Sequence, residues 1–435
     1  MSSFDIVEHT VPCQHIREYP QATADAQETV LHLAVKQYIP KDNRDPQPGD
    51  VTIIGAHANG FPKELYEPLW DDIHARSKKH GFRIRSIWIA DVAQQGQSSV
   101  LNERLLGNDP AWNDHPRDLL LMINLKRHLM PRPIIGIGHS MGGNHLVNLA
   151  YMHPRLLSTL VLIDPVIQIY SSVAPHAGPS PARLSTFRRD VWPSRSAAAS
   201  SFAASKFYQA WDPRVLDRWV NYGLRDMPTL LHPDTETDSS KDKGDDSGPK
   251  VTLTTSVPQE VFTFLRPNYQ GYGHDGRPIN RKTHPDLNPA LPSTYPFYRA
   301  EGPQTFYRLP ELRPSVLYIF GGKSDVGTPD ACQAKMEITG VGPGGSGGAA
   351  AGRVSSVVFE DIGHLIAMEA VDRTADHSCQ WIGREMEMWR KDEDEHLRTW
   401  THAKSLVEKQ SIDDEWKKMI GGPYERPKKP SDAKL

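Results

Sequence analysis

Short apolar runs rich in valine and isoleucine recur through the first third of the chain. Runs with the length and composition of buried strands lie at 30–39, 51–57, 82–90, 133–139 and 159–164. Between them, apolar residues spaced three and four positions apart predict helices over 64–80 and 117–130. This alternation of strand and helix predicts an α/β fold with a mostly parallel central sheet flanked by helices.

The strand pattern stops after position 165 and returns only in two late runs, at 315–321 and 355–361. Residues 166–312 instead contain aromatic residues, prolines and several helical pieces, without an alternating strand series. We therefore predict one core formed by residues 1–165 and 313–421, with a largely helical cap inserted at 166–312.

Four further segments, outside the strand and helix series above, are interpreted separately. Residues 234–250 are almost free of apolar side chains and 342–352 consist mainly of glycine and alanine, so neither is expected to have fixed structure. The segment 366–419 is predicted to be largely helical. Residues 422–435 are polar and contain several prolines, which is typical of a flexible, accessible tail.

The composition excludes several classes of function. The chain of 435 residues has 50 Lys and Arg against 53 Asp and Glu, so no basic surplus indicates a nucleic-acid partner. It has no secretory signal and no apolar run of about 18 residues, so we expect no stable membrane insertion. The three cysteines are far apart and form no C-x-x-C pair, and we expect neither a metal nor a cofactor. Self-association as a homodimer stays open.

The strongest local motif is GHSMGG at 138–143, which follows a predicted strand and precedes a helical pattern. A nucleophile at a sharp turn from strand to helix needs small neighbours, and the glycines meet that requirement. The turn also places Ser140 near a helix N-terminus, where free N–H groups favour developing negative charge. We therefore predict that Ser140 is a catalytic nucleophile.

A serine nucleophile needs a base, and the base needs a carboxylate to orient it. Among 19 histidines, His364 follows a late strand through a short link, which places it over the same sheet edge as Ser140. Two acids compete for the third role, because Asp164 ends one strand and Asp325 follows another. The chain order of nucleophile, acid and base holds for either, so position alone does not decide.

Hydrolysis also needs two backbone N–H donors for the oxyanion of the tetrahedral intermediate. Met141 directly follows the nucleophile and is predicted to supply one. The loop HANGFP at 57–62 follows a predicted strand and is expected to supply the other, with Phe61 as the first candidate and Asn59 as the second.

The chain ends in Ala433-Lys434-Leu435, a close variant of the S-K-L signal that the peroxisomal import receptor reads. The polar segment before it favours accessibility of this tripeptide. The sequence therefore predicts import into the peroxisomal matrix.

In the motifs GHSMGG, HANGFPKE, VLIDP and DIGHL the chain resembles the fungal peroxisomal α/β-hydrolases. This group includes the mycophenolic acid acyl-CoA hydrolase and hydrolases of toxin biosynthesis. The resemblance implies the α/β-hydrolase fold, and it implies that Asp164 rather than Asp325 is the triad acid. Because the nucleophile is a serine, the epoxide hydrolases and haloalkane dehalogenases are poor models.

The resulting hypothesis is a serine hydrolase that cleaves the acyl-CoA thioester of a hydrophobic acid. Two alternatives are a peroxisomal lipase or carboxylesterase, and a non-catalytic homologue that only binds a ligand. Aromatic residues of the predicted cap would line an apolar acyl pocket. They are Trp192, Phe202, Phe207, Tyr208 and Trp211.

Overall fold

The computed structural model describes residues 3–171, 180–233, 248–292 and 294–422. The chain divides into two compact units, residues 1–386 and residues 387–435. The first unit contains the central sheet and every element that positions the candidate site.

The central sheet has eight strands among the described residues. Their bounds are β1 (Phe4–Pro12), β2 (His32–Pro40), β3 (Val51–Ala56), β4 (Ile84–Ala90), β5 (Ile134–His139), β6 (Thr159–Ile163), β12 (Ser315–Gly321) and β13 (Val354–Phe359). Across the sheet the order is β1-β2-β4-β3-β5-β6-β12-β13. The pairs β1·β2 and β2·β4 are antiparallel. The remaining five pairs are parallel. The predicted mostly parallel sheet is thus confirmed.

All seven predicted strands are present, whereas the first strand, β1, was not expected. Only Phe4 and Val11 of its apolar residues are buried, and Ile6 and Val7 are exposed. Because β1 is an edge strand held by main-chain pairing to β2, its side chains need not alternate between core and solvent. The hydrophobic pattern therefore carries no strand signal there.

Helices pack against the sheet and bury its apolar side chains. Leu119 and Met122 of one helix and Leu146 of the next lie in the same core cluster as residues of β2 and β6. The helix predicted at 64–80 forms as a helix flanked by two 3₁₀ turns, and the one predicted at 117–130 begins earlier and ends earlier. The helices before β6 are α1 (Glu67–Ser77), α2 (Gly96–Leu101), α3 (Asp114–Leu125) and α4 (Met141–Met152).

The segment between β6 and β12 is largely helical, but it also contains strands. Its helices are α5 (Pro181–Thr186), α6 (Arg195–Ala204), α7 (Lys206–Gln209), α8 (Pro213–Tyr222), α9 (Val257–Phe264) and α10 (Glu301–Arg308). Its strands, of two or three residues each, are β7 (Val191–Trp192), β8 (Leu224–Asp226), β9 (Val251–Leu253), β10 (Arg266–Pro267) and β11 (Phe297–Tyr298). The boundaries of a cap at 166–312 stay an interpretation.

The expectation that residues 342–352 lack fixed structure is wrong. The N–H of Gly342 donates to the Pro310 carbonyl at 2.8 Å, and the N–H of Ser346 donates to the Leu312 carbonyl at 3.0 Å. These main-chain hydrogen bonds give a glycine-rich segment a defined path that its composition does not encode. Residues 234–247 of the other low-complexity segment lie outside the described residues.

The last part of the chain is helical, as predicted. The helices after β13 are α12 (Ile366–Glu369), α13 (Val371–His396), α14 (Leu406–Gln410) and α15 (Asp414–Ile420), with a π-helical turn at Leu397–Thr401. One further helix, α11 (Pro329–Ile338), lies between β12 and β13. In the described ranges, no helix combines the length and apolar character needed to cross a membrane.

Candidate active site

Ser140 stands between β5 and α4 at a sharp turn of the main chain. Its φ of 57° and ψ of −119° lie outside the regions that residues other than glycine usually occupy. The surroundings leave no room for side chains: a Cβ on Gly138 would lie 2.6 Å from the Gly142 carbonyl oxygen, and one on Gly142 would lie 2.1 Å from the Ala56 carbonyl oxygen. The glycines thus have the packing role that the motif predicted.

The structure brings His364 and Asp164 together with Ser140. His364 Nε2 lies 2.8 Å from Ser140 Oγ, and His364 Nδ1 lies 2.5 Å from Asp164 Oδ2. Since a carboxylate only accepts, the Nδ1–H donates to Asp164, and Nε2 is left to accept the serine proton. Asp325, the competing acid, is exposed on the loop after β12.

The Asp164 carboxylate is buried and held by several donors. The Ser324 hydroxyl donates to Oδ2 at 2.5 Å, and the Gly321 N–H donates to Oδ1 at 3.4 Å. Burial alone raises the pKa of this carboxyl, but hydrogen bonds from His364, Ser324 and Gly321 and the attraction of His364 outweigh it, so the pKa lies below its ordinary value. Asp164 is therefore an anion suited to orient and stabilise an imidazolium.

Sequence reasoning missed Ser324. It stands directly before Asp325 in the loop after β12, where the sequence pattern indicates only the carboxylate as a candidate. The loop thus contributes a hydroxyl donor to the acid from the neighbouring strand rather than an acid of its own. Only the pairing of β12 with β6 brings Ser324 to Asp164, and the sequence carries no signal of that pairing.

The two predicted oxyanion donors are placed differently. Met141 is the first residue of α4, so its N–H has no acceptor within its own helix. The Phe61 N–H forms a long hydrogen bond of 3.3 Å to the Ala58 carbonyl. Asn59, whose main-chain N–H is the second candidate, is held by its side chain: the amide donates to the Glu260 carbonyl at 3.0 Å and accepts from Gln95 at 2.5 Å. The second oxyanion donor stays a prediction.

A buried ion pair anchors the chain directly after this loop. Asp91, at the end of β4, accepts from the Lys63 N–H at 2.9 Å and from Lys63 Nζ at 2.7 Å. Burial lowers the pKa of this lysine, but Asp91 and Glu64 outweigh it and raise the pKa, so the ammonium stays charged. The loop at 57–62 is thus tied to the strand beside it.

The predicted aromatic residues of the cap form a cluster that reaches the loop at 57–62. The Phe61 ring lies 5.7 Å from Trp211 and 6.0 Å from Trp219, measured between ring centroids. Trp211 is buried and Phe207 is exposed, so the cluster has a buried and a solvent-facing side. Trp219 was not predicted, and it joins the cluster from α8.

No cluster of three or more histidine, cysteine, aspartate or glutamate side chains in the described ranges is arranged to hold a metal ion. The three cysteines are free thiols. Ser140, His364 and Asp164 together can carry out nucleophilic acyl transfer with their own groups.

Residues 58–226 match the family model described as the alpha/beta hydrolase fold. Over 427 residues the chain is 42% identical to the type I acyl-CoA thioesterase mpaH of Penicillium roqueforti (strain FM164), covering 96% of this chain and 95% of the relative. It is 43% identical over the same shares to the type I acyl-CoA thioesterase mpaH' of Penicillium brevicompactum.

Among solved structures, the peroxisomal α/β-hydrolase Lpx1 of Saccharomyces cerevisiae aligns with a TM-score of 0.61 at 15% identity, over 97% of this chain and 96% of that one. At this identity the likeness concerns the fold alone. The chain therefore belongs to the α/β-hydrolase family, in the group that includes the fungal type I acyl-CoA thioesterases.

Proposed function

We propose that this protein is a serine hydrolase that cleaves the thioester of a hydrophobic acyl-CoA. The observation that carries the proposal is the contact of Ser140, His364 and Asp164 in a chain 42% identical to a named acyl-CoA thioesterase over nearly its full length. Ester and thioester cleavage both use such a serine, and the relatives favour the thioester.

In the proposed mechanism Ser140 Oγ attacks the thioester carbonyl while its proton passes to His364 Nε2. Asp164 stabilises the imidazolium, and the N–H groups of Met141 and Phe61 receive the oxyanion. The carbon–sulfur bond then breaks, and the proton on His364 passes to the CoA thiolate.

Water releases the acid in the second half of the reaction. His364 takes a proton from the water as it attacks the acyl-serine ester, and the same proton returns to Ser140 Oγ when the ester bond breaks. The products are the free acid and CoA, and each residue returns to its starting protonation state. The buried aromatic cluster around Trp211 fits an apolar acyl group.

A hydrolysis screen tests this proposal. We expect turnover of at least one member of a panel of acyl-CoAs that differ in chain length and ring content, and faster turnover than of the matching oxygen ester. Faster cleavage of the oxygen ester would instead indicate a lipase or carboxylesterase. No turnover, with no labelling of Ser140 by a fluorophosphonate, would indicate a ligand-binding homologue.

The first variant for this screen is Ser140→Ala. It should abolish turnover and leave the midpoint of thermal unfolding nearly unchanged, because the hydroxyl contributes to the reaction rather than to packing. Substantial residual acyl-CoA hydrolysis would contradict the assignment of the nucleophile.

We further propose that the protein works in the peroxisomal matrix. The support is the terminal tripeptide Ala433-Lys434-Leu435, which lies outside the described residues. Deleting these three residues from a protein tagged at its N-terminus should move it from peroxisomes to the cytosol without changing activity in vitro. Unchanged punctate localisation would refute the proposal.

A further inference from the structure

A buried tyrosine and a buried histidine connect three loops of the candidate site. Tyr66 follows the loop at 57–62, and His139 directly precedes Ser140. The Ala58 N–H lies 2.8 Å from Tyr66 Oη, Tyr66 Oη lies 2.9 Å from His139 Nδ1, and His139 Nε2 lies 2.9 Å from the His364 carbonyl oxygen. Nothing in the triad mechanism uses these contacts.

The two end groups, the Ala58 N–H and the His364 carbonyl, fix the direction of each of these three hydrogen bonds. The Ala58 N–H can only donate, so the Tyr66 oxygen accepts from it and its own hydrogen is free for His139. The His364 carbonyl can only accept, so the hydrogen of the His139 ring is on Nε2. His139 Nδ1 is then the acceptor that the Tyr66 hydroxyl needs.

Burial holds both side chains in these states. Both rings are almost completely shielded from solvent. Burial, and then the nearby His364, lower the pKa of His139 to about 3, and burial raises the pKa of the Tyr66 phenol. A neutral imidazole and a protonated phenol are the forms that the hydrogen bonds require, so these hydrogen bonds persist across the working pH range.

We infer that Tyr66 and His139 are positioning residues. They hold the loop at 57–62, the turn at Ser140 and the main chain of His364 at fixed distances from one another. This inference rests on the proposed function and names two further residues on which that reaction depends. The Ala58 peptide leads into the loop that contains Phe61, and the His364 main chain is held while its ring exchanges protons. Neither Tyr66 nor His139 is a catalytic residue, since neither contacts the reacting atoms.

The test compares Tyr66→Phe with Tyr318→Phe. Tyr318 is a matched control, because its phenol is also buried and its hydroxyl lies 2.8 Å from Thr339 Oγ1, outside this chain of hydrogen bonds. We expect Tyr66→Phe to lower kcat and the rate of Ser140 labelling by a fluorophosphonate by about ten- to a hundredfold, with KM changed by less than about twofold. Tyr318→Phe should leave all three within about twofold.

A purely structural role for Tyr66 predicts a different result. If Tyr66→Phe lowered the thermal midpoint but kept kcat and the labelling rate within about twofold of the wild type, the inference would be overturned. Labelling also separates this inference from the proposed substrate. A wild-type protein that labels at Ser140 but hydrolyses no acyl-CoA would refute the substrate and still allow the comparison of labelling rates.

A second series covers the case in which Tyr66→Phe does not fold. In His139→Gln the amide N–H can still donate to the His364 carbonyl, whereas His139→Leu has no donor. We expect His139→Gln to label at least about fivefold faster than His139→Leu, since the former keeps the contact to the base. Equal rates in the two variants would overturn the inference.

Discussion

One oxygen of Asp164 receives two donors, the His364 ring and the Ser324 hydroxyl, each at 2.5 Å. This double contact fixes the direction in which the carboxylate faces the imidazole. The loop after β12 supplies the second of these donors. The neighbouring Asp325 has its side chain in solvent.

The roles of the two acids can be separated by paired substitutions. Asp164→Asn preserves the shape of the side chain but favours the wrong tautomer of His364, and a loss of about 10⁴ in kcat is the scale known for this change in the serine proteases. Asp325→Asn should stay within about threefold of the wild type in kcat. Steady-state rates on one acyl-CoA measure both, with circular dichroism to show that the variants are folded.

A large loss confined to Asp325→Asn would overturn the choice of Asp164. Comparable losses in both variants would show that the loop carrying Asp325 supports the acid beyond its Ser324 contact.

The sequence identifies the residues that touch one another in the site more readily than those that support them. Ser140 and His364 stand at strand ends with recognisable flanking residues. The contact of Ser324 with Asp164 joins positions 160 residues apart, and that of Tyr66 with His139 joins positions 73 apart. Only the register of neighbouring strands brings such pairs together, and a single sequence does not contain that register.

At the scale of the element, the turn from β5 to α4 depends on contact between main chains. The first turn of α4 lies so close to the end of β3 that Gly142 has no room for a methyl group next to the Ala56 carbonyl. This contact sets the distance between the N-terminus of α4 and the loop at 57–62.

Gly142→Ala should therefore destabilise the protein and impair its activity together. The added Cβ would lie 2.1 Å from a main-chain oxygen, so the strand or the helix must move. We expect a loss of at least about 1–3 kcal/mol in the free energy of unfolding, measured by urea denaturation, with a fall in kcat. Gly248→Ala is the matched control, because nothing lies within 4 Å of its Cβ position. A variant Gly142→Ala with wild-type stability would contradict this account of the turn.

The elements themselves were predicted where burial imposes a pattern and missed where it does not. The parallel strands β3, β5, β6 and β12 are buried on both faces and have continuous apolar runs. The edge strand β1 has exposed apolar residues at Ile6 and Val7, and the loop at 342–352 is ordered by main-chain hydrogen bonds. Neither feature leaves a signal in side-chain polarity.

At the scale of the whole molecule, four histidines in the described part of the first unit are buried, and burial favours their neutral form. Burial lowers the pKa of His139 and His145 to about 3, and it lowers the pKa of His57 and His115 from the ordinary 6.5. Unfolding exposes all four to water. The unfolded chain therefore binds protons below pH 6.5 that the folded chain does not bind.

This difference in proton binding predicts that the free energy of unfolding falls steeply as the pH is lowered. As the pH falls from about 6.5 toward 3, His139 and His145 should each lower the free energy of unfolding by up to about 1.4 kcal/mol per pH unit, and His57 and His115 should change it in the same direction. Asp114, whose pKa is raised to about 6 chiefly by burial, opposes this trend, as do Glu67 and Glu369, whose pKa values burial also raises. Urea denaturation at about pH 7.5, 6, 5 and 4 measures how the free energy of unfolding changes with pH.

A variant checks that buried histidines cause the slope. His145→Leu removes one titrating group and should reduce the slope by the equivalent of about one proton. A free energy of unfolding that is constant between about pH 7 and pH 5 would contradict the prediction.

The shared contact of Asp164 and Ser324 also bears on how such enzymes diverge. The two residues follow neighbouring parallel strands, and their side-chain oxygens meet at one point beside the imidazole. We expect a carboxylate at position 324 to approach the same ring nitrogen as Asp164, so that the acid could pass from one strand to the next through an intermediate that holds both. Asp164→Ser combined with Ser324→Asp recreates the end of that path, and it should be more active than Asp164→Ser alone.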